Sequence, residues 1–276
     1  MDRVKKLVNA DKVYRNGYTG SAVRIALLDT GVFVHKELER KVVYFKDYVN
    51  NINVPYDDNG HGTHIAGIMC GERGMAPRAE LLVFKILDKS GDGRTQDALS
   101  ALDWIMEHHS EYNIRLLNFS MGYMPSANMK LQKLLMEKLE QLWDAGITVV
   151  TAAGNNGPGE NSVTVPGISR KVITVGSSDQ NYGGRGPTSC CIVKPVILAP
   201  GTDILSLSNR EGEYERKSGT SMSAPVVCGA LALLLEMHPN LRPVEIKLML
   251  YDSVKRINEK NSAWGILDVD KLMEML

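Results

Sequence analysis

Cysteine is scarce in this chain, whose 276 residues include four, at positions 70, 190, 191 and 228. Neither their number nor their spacing makes a disulfide framework or a zinc motif, so we expect reduced thiols. Cys228 lies in an apolar helical stretch, where a cysteine is most simply a small core residue. A strained disulfide between Cys190 and Cys191 is an uncommon alternative that would make the pair redox-sensitive. This cysteine usage favours a reducing cytoplasm.

An excess of charge of either sign is also missing. The 32 Lys and Arg residues balance 32 Asp and Glu residues, and the pI is about 7.0, so there is no basic footprint for nucleic acid or an anionic membrane. No unbroken apolar run approaches the roughly 20 residues that span a bilayer. The first ten residues are amphipathic and lack a signal-peptide core. We therefore expect a soluble protein with no nucleic acid and no membrane as partners.

The sequence contains no repeat, linker or low-complexity tract. With 43% hydrophobic residues it can bury one large core, so we predict a single domain over residues 1–276. Short apolar runs alternate with helical segments, which predicts an α/β fold with a mostly parallel sheet flanked by helices. The predicted strands are 23–28, 81–86, 116–119, 147–152, 172–175 and 196–198, and the predicted helices are 95–108, 129–145, 223–237 and 243–254, with a further helix through 64–69.

Three segments carry the residue types of nucleophilic catalysis. In these segments Ser221 would be the nucleophile, His61 its general base, and Asp29 the carboxylate that orients the imidazole. The chain order Asp, His, Ser differs from that of chymotrypsin-like enzymes, and residues 219–223 lack the Gly-x-Ser-x-Gly elbow of α/β-hydrolases. Asp29 directly follows a predicted strand, at the carboxyl edge where open α/β sheets place ligand sites. The segments are Asp29-Thr30-Gly31, His61-Gly62-Thr63-His64 and Gly219-Thr220-Ser221-Met222-Ser223-Ala224-Pro225.

Each of these residues also has a simpler interpretation. An aspartate at a strand end often caps a turn, and His61 alone could be a surface histidine. His61 and His64 do not indicate a metal site, because a third ligand and the His-Glu-x-x-His pattern are missing. We interpret His64 as a structural residue that makes internal hydrogen bonds. The three segments together favour the catalytic interpretation.

These motifs closely resemble those of the subtilase family of serine endopeptidases, and the resemblance runs from about Gly17 to about Asp270. It implies a three-layer subtilisin-like fold, a peptide or protein substrate, and hydrolysis through an acyl-enzyme. It also implies that the Asn155 side chain and the Ser221 backbone N–H stabilise the oxyanion of the reaction. Further matching segments are Gly154-Asn155, Arg185-Gly186-Pro187-Thr188, Lys194-Pro195 and Ala199-Pro200-Gly201.

Members of this family bind the substrate as an extended strand between two enzyme segments. The candidate segments here are Ser120-Met121-Gly122 and Ser90-Gly91-Asp92-Gly93, although Gly91 and Gly93 would equally suit an ordinary loop. The resemblance implies a pocket for the residue before the scissile bond. Its uncharged lining predicts Leu, Met or Phe there rather than Lys or Arg. The predicted walls are Ser120, Met121, Gly122, Ala152, Ala153 and Gly154, with Thr164 at the base.

Two departures from the secreted members of the family concern calcium and the beginning of the chain. Residues 70–77 are too few, and too poor in oxygen side chains, for the usual high-affinity calcium loop. No cofactor is expected to be required. Calcium elsewhere is possible, but Asp57 and Asp58 are interpreted as a solvated turn. The chain begins near the start of the family's catalytic domain, so we expect a cytoplasmic enzyme, with a trimmed secreted enzyme as the alternative.

A second function stays open beside the endopeptidase. A catalytically silent member of the family would bind peptides as a scaffold, and the filled catalytic positions argue against it. Nothing in the sequence indicates an oligomeric state.

Overall fold

The computed structural model describes residues 1–124, 129–179, 182–189, 191–257 and 263–275. The helices in this part of the chain are α1 (Asp2–Leu7), α2 (Asp11–Arg15), α3 (His61–Cys70), α4 (Thr95–His108), α5 (Met129–Asp144), α6 (Thr220–Met237), α7 (Pro243–Ser253) and α8 (Val269–Met273). The strands are β1 (Arg24–Asp29), β2 (Val42–Asp47), β3 (Glu80–Lys85), β4 (Ile114–Phe119), β5 (Thr148–Ala152), β6 (Ile173–Ser177), β7 (Ile197–Ala199), β8 (Ile204–Leu207), β9 (Tyr214–Lys217), β10 (Lys255–Arg256) and β11 (Gly265–Ile266).

Across the described residues, nine strands form one sheet in the order β10-β11-β7-β6-β5-β4-β1-β3-β2. All neighbouring strands run parallel except β10 and β11, and β8 and β9 form a separate antiparallel hairpin. The chain proceeds from β1 to one side through β3 and then returns to the other side with β4. This reversal places a crevice at the carboxyl ends of β1 and β4, where α/β folds bind ligands.

The expectation of a mostly parallel sheet flanked by helices is confirmed. Each predicted strand and helix is present, with ends that differ by up to three residues. The sequence reading missed β2, which is half-exposed on one edge of the sheet, and the β8–β9 hairpin, whose second strand alternates between exposed and half-buried residues. Such strands lack the continuous apolar run by which the buried parallel strands are recognised.

Helix α6 packs in the core against the sheet and against α3. With a mean hydropathy of 1.5 it is, among the described residues, the one helix long and apolar enough to cross a membrane, yet 83% of it is buried within the protein. Polar residues in its first turn interrupt the apolar run, so the sequence alone did not single it out. Its burial is that of a core helix, as a helix that is apolar all round requires.

Among the described cysteines, Cys70 and Cys228 are buried and Cys191 is exposed, and all three are free thiols. Burial raises the pKa of the Cys70 thiol to about 12 and raises the pKa of the Cys228 thiol well above its ordinary value. Cys190 lies outside the described residues, so the Cys190–Cys191 alternative stays untested.

Candidate active site

Asp29 and His61 meet at the carboxyl edge of the sheet. Asp29 is the last residue of β1 and is fully buried, while His61 begins α3 and keeps a quarter of its side chain exposed. His61 Nδ1 lies 2.7 Å from Asp29 Oδ1, which also accepts a 2.8 Å hydrogen bond from the Thr30 N–H. Because the carboxylate accepts a hydrogen bond from Nδ1–H, the proton of the neutral imidazole stays on Nδ1 and Nε2 is left as an unprotonated base.

Two opposing effects set the protonation of His61. Burial lowers its pKa, but the charge and the hydrogen bond of Asp29 raise it by more, so the net pKa lies above the ordinary histidine value. Lys217 lowers the pKa and Asp57 raises it, both by less than Asp29. The imidazole is therefore a somewhat stronger base than a free histidine.

The sequence reading of Asp57 as part of a solvated turn is wrong. Asp57 is 6% exposed, and its carboxylate accepts hydrogen bonds from the Thr30 hydroxyl and from the Thr63 hydroxyl and N–H, as well as from the N–H groups of Asn59 and Gly60. These bonds lower its pKa even though burial raises it. Asp57 thus ties the turn after Asp29 to the start of the His61 helix, and its oxygens are already occupied.

Ser221 is the second residue of α6, where backbone N–H groups have no partner within the helix. Its hydroxyl donates a 2.8 Å hydrogen bond to the carbonyl of Ser120, the residue after β4. No hydrogen bond joins Ser221 to His61 among the described residues. Catalytic hydrogen bonds are often long or poorly aligned before substrate binds, so this arrangement does not exclude a catalytic role for the pair.

Asn155 is held by one end of its side chain. Its Oδ1 accepts hydrogen bonds of 3.0 and 3.2 Å from the backbone N–H and the hydroxyl of Thr220. The Thr220 hydroxyl also lies 3.1 Å from the N–H of Gly154. With Oδ1 fixed, the Asn155 NH₂ group has a set direction beside Gly219, at the start of α6. Thr220 is a supporting residue that sequence reasoning missed, although it stands inside the Ser221 motif.

One cleft of about 480 Å³ contains most of the predicted site. It is lined by His61, Ser221 and Asn155 and by the predicted substrate-binding residues Ser120, Met121, Gly122, Ala152, Gly154, Thr164 and Gly91, together with Thr30, Asn59, Leu87, Ser90 and Asn156.

Two predicted substrate-binding residues do not line this cleft. Ala153 is fully buried and uses its N–H and carbonyl to bond Val175 and Thr164. Gly93 packs against Ile86, whose carbonyl oxygen would lie 2.5 Å from an added Cβ. The alternation of residues along an extended segment turns Ala153 away from the cleft, and Gly93 serves close packing rather than substrate.

Thr164 fills the space between the two predicted pocket walls. A Cβ on Gly122 would lie 2.1 Å from the Thr164 hydroxyl oxygen, and one on Gly154 would lie 2.5 Å from its methyl carbon. Thr164 itself is 2% exposed. The pocket between these walls therefore ends at a branched side chain, and both walls must be glycine there.

His64 has no place in the cleft. Its Nε2 lies 3.0 Å from the Ile204 carbonyl and 3.2 Å from the Glu215 carbonyl, so Nε2 carries the proton and joins α3 to the β8–β9 hairpin. Burial, followed by the charge of Lys217, lowers the pKa of His64 to about 4. Its predicted structural contacts are present. Within the described ranges, no group of three or more His, Cys, Asp or Glu side chains is arranged to hold a metal ion.

Comparison with known proteins points in one direction. A model described as the Subtilase family matches residues 20–266. Serine protease AprX of Bacillus subtilis is 35% identical over 95% of this chain and 68% of its own length, and Subtilisin DY of Bacillus licheniformis is 32% identical over 92% and 91%. The crystal structure of a cold adapted subtilisin-like serine proteinase aligns with a TM-score of 0.79 and 28% identity, over 92% of this chain and 90% of that one.

Proposed function

Because this chain belongs to the subtilase family of serine proteases, we propose that it is an endopeptidase that works through Asp29, His61 and Ser221. The observation that carries the proposal is the convergence on one cleft: the Asp29–His61 hydrogen bond, the Ser221 hydroxyl and the anchored Asn155 amide all meet there. Peptides and proteins are the substrates that the family implies.

The first chemical step is attack of Ser221 Oγ on the carbonyl carbon of the scissile bond. A backbone N–H of an extended substrate competes for the Ser120 carbonyl, which the Ser221 hydroxyl occupies in the resting site. The released hydroxyl turns to His61, Nε2 takes its proton, and Asp29 stabilises the imidazolium that forms. The C–N bond then breaks as Nε2 gives the proton to the leaving amine, which leaves an acyl-enzyme that water hydrolyses by the reverse sequence.

Charge develops on the carbonyl oxygen during both steps. The Asn155 NH₂ group and the Ser221 N–H are the donors proposed to stabilise it, because both lie at the positive end of α6. Thr220 fixes the direction of the amide before substrate arrives, so no reorganisation is needed during the reaction.

The proposed preference at the subsite before the scissile bond is apolar and of medium size. The lining is uncharged, so a lysine or arginine there would be buried without a partner. Thr164 closes the space between Gly122 and Gly154, which favours Leu or Met over Phe. No metal takes part in the proposed chemistry, so chelation with EDTA is expected to leave turnover unchanged.

A fluorophosphonate distinguishes the endopeptidase from a silent peptide-binding scaffold. We expect intact-mass analysis to find one adduct on the wild-type chain and none on Ser221→Ala, because only an activated serine reacts. The wild type should then cleave a mixture of unstructured peptides internally, while Ser221→Ala binds them without turnover.

One observation favours the scaffold: the Ser221 hydroxyl donates its hydrogen bond to the Ser120 carbonyl and not to His61. A folded wild-type chain that binds peptides but forms no adduct would establish that alternative.

A further inference from the structure

Lys85 is a buried cation next to the proposed catalytic aspartate. It is the last residue of β3, it is 0% exposed, and it stands opposite Asp29 in the register of the parallel β1–β3 pair. The mechanism above assigns it no role. A buried ammonium must be fully hydrogen-bonded to be tolerated, so its partners indicate what it does.

The Lys85 ammonium makes three hydrogen bonds, which use all of its protons. Nζ donates to the Thr30 carbonyl at 2.6 Å, to Asp58 Oδ1 at 2.7 Å and to the Leu87 carbonyl at 2.9 Å. It also lies 4.9 Å from the centre of the Tyr56 ring. These contacts fix the ammonium in a single position.

Each partner belongs to a different part of the proposed site. Thr30 follows Asp29 and, through its hydroxyl, bonds Asp57 and receives the Gly62 N–H. Asp58 lies in the loop that leads to His61. Leu87 follows β3 and lines the cleft. One side chain thus joins the Asp29 turn, the approach to His61 and a wall of the substrate cleft.

We propose that Lys85 is a positioning residue. It keeps Asp29 and His61 at hydrogen-bonding distance because it fixes the turn at Thr30 against the loop that contains Asp58. The inference deepens the proposed endopeptidase function and rests on it. Misplacing a reacting group by about 1 Å can cost about a hundredfold in rate, so a clamp of this kind has a measurable effect.

A positional role and a purely electrostatic role of Lys85 predict opposite changes in the pKa of His61 when Lys85 is removed. If Lys85 holds the Asp29–His61 pair together, its removal weakens the bond that raises the pKa of His61, and that pKa falls. If Lys85 acts only as a nearby positive charge, its removal raises the pKa of His61. The charged groups that act on His61 are Asp29 on β1, Lys217 on β9 and Asp57 in the loop before α3, and all three are kept in the variants below.

The test compares Lys85→Met with Lys194→Met. Lys194 is also a fully buried lysine, but it donates to Val172 and Thr174 at the beginning of β6, away from the cleft. With a chromogenic peptide substrate, we expect Lys85→Met to lower kcat more than tenfold and to move the acidic limb of the kcat/KM profile to lower pH. Lys194→Met should keep kcat within twofold of the wild-type value and should leave the acidic limb of the kcat/KM profile at the same pH.

Asp58 supplies variants that leave the buried Lys85 side chain in place, since the Asp58 side chain is itself 37% exposed. Asp58→Ala is expected to lower kcat several-fold with the same shift of the acidic limb, and Asp58→Asn, which keeps an acceptor oxygen, should restore both. If Lys85→Met does not fold, the Asp58 pair decides the question. The proposal is overturned if the acidic limb of the kcat/KM profile stays in place in Asp58→Ala or in folded Lys85→Met. It is also overturned if that limb moves to higher pH, because the pKa of His61 would then have risen.

The pKa of His61 can also be measured in a chain that does not turn over substrate. In a Ser221→Ala background, an NMR titration of His61 should give a lower pKa when Lys85→Met is added and an unchanged pKa when Lys194→Met is added. A wild-type chain without peptidase activity would refute the proposed function, whereas an unshifted His61 titration would refute the positioning role alone.

Discussion

Asn155 is the residue whose surroundings most directly predict a rate effect. Its Oδ1 is anchored twice by Thr220, so only the NH₂ group is available to a substrate. We expect Asn155→Ala to lower kcat by about 10²–10³, the cost reported for removing this donor in a subtilisin, with little change in KM. Steady-state kinetics on one peptide substrate measures both constants.

The matched control for Asn155 is Asn240→Ala, an exposed asparagine in the loop after α6. It should leave kcat within twofold. A loss in KM rather than kcat for Asn155→Ala would mean that Asn155 binds the ground state and does not stabilise the oxyanion.

Shortening the Thr164 side chain in steps should change the preference at the subsite before the scissile bond in steps. Thr164→Ser removes the methyl group that faces Gly154, and Thr164→Gly removes the whole side chain between the pocket walls. We expect the ratio of kcat/KM for Phe over Leu before the scissile bond to rise in the order Thr, Ser, Gly. Each methylene of pocket space is worth about 1–3 kcal/mol, so the full change should reach at least tenfold. A constant ratio across the series would place the base of the pocket elsewhere.

At the scale of single residues, the sequence predicts the proposed reacting groups better than the residues that support them. Asp29, His61, Ser221 and Asn155 stand in short local motifs, and the structure brings them to one edge of the sheet. The contacts of Asp57 and Lys85 depend on residues from other segments, so a single stretch of sequence gives no sign of them. For this reason the sequence alone suggested that Asp57 lies in a solvated turn, although its side chain is buried.

Helix α3 and the β8–β9 hairpin are joined by His64, and this link connects the element that carries His61 to the segment that leads into Ser221. Because burial lowers the pKa of His64 to about 4, the unfolded chain binds a proton between about pH 6.5 and 4 that the folded chain does not. Stability is therefore lost as the pH falls through this window. The difference from an ordinary pKa of about 6.5 corresponds to about 3 kcal/mol.

Urea unfolding of the Ser221→Ala chain at pH 7 and pH 4.5 measures that loss without autolysis. His64→Gln removes the titration but keeps an N–H donor, so its stability should fall less between the two pH values. His109→Gln, the same change at a half-buried histidine after α4, is the control and should retain the full fall. Equal falls in all three chains would show that the acid sensitivity arises outside the α3–hairpin link.

The elements themselves were predictable where the chain is continuously apolar. Strands β1, β3, β4 and β5 are buried on both faces and appear as uninterrupted apolar runs. Strand β9 alternates exposed and half-buried residues in Tyr-Glu-Arg-Lys, a composition that equally suits a loop. Its pairing with β8 is a tertiary effect, and so is the position of Lys217 near His61.

Over the whole molecule, the active cleft depends on the order of the sheet. Strand β1 lies between β3 and β4, so Asp29 is flanked by Lys85 on one side and the Ser120 segment on the other. The position of Lys85 beside the Asp29 turn follows from this strand order. Local sequence predicts the strands but not their neighbours, because strand order is fixed by connections and packing across the full chain.

Buried and half-buried titratable groups also predict how the stability of the whole protein depends on pH. Burial lowers the pKa of Lys247 to about 8 and that of Lys194 well below its ordinary value, while it raises the pKa of Tyr48 and Tyr56 to about 12. From pH 8 to about 9 the unfolded lysines hold protons that the folded ones have lost, so stability rises with pH. Above about pH 9 the unfolded thiols of Cys70 and Cys228 lose protons that the folded ones keep, and above about pH 10 the unfolded tyrosines do the same, so stability falls.

We therefore expect the free energy of unfolding to be greatest near pH 9. Urea titrations of Ser221→Ala from pH 7 to pH 11.5 would locate the maximum. Lys194→Met removes one of the groups responsible for the rise, so its curve should be flatter between pH 7 and 9 but should fall as steeply above about pH 10.5. Lys171→Met, which removes a surface lysine paired with Asp144, should keep the wild-type shape. If the Lys194→Met curve rises as steeply as the parent, Lys194 is charged in the folded protein, and its two hydrogen bonds to Val172 and Thr174 suffice to hold a buried ammonium.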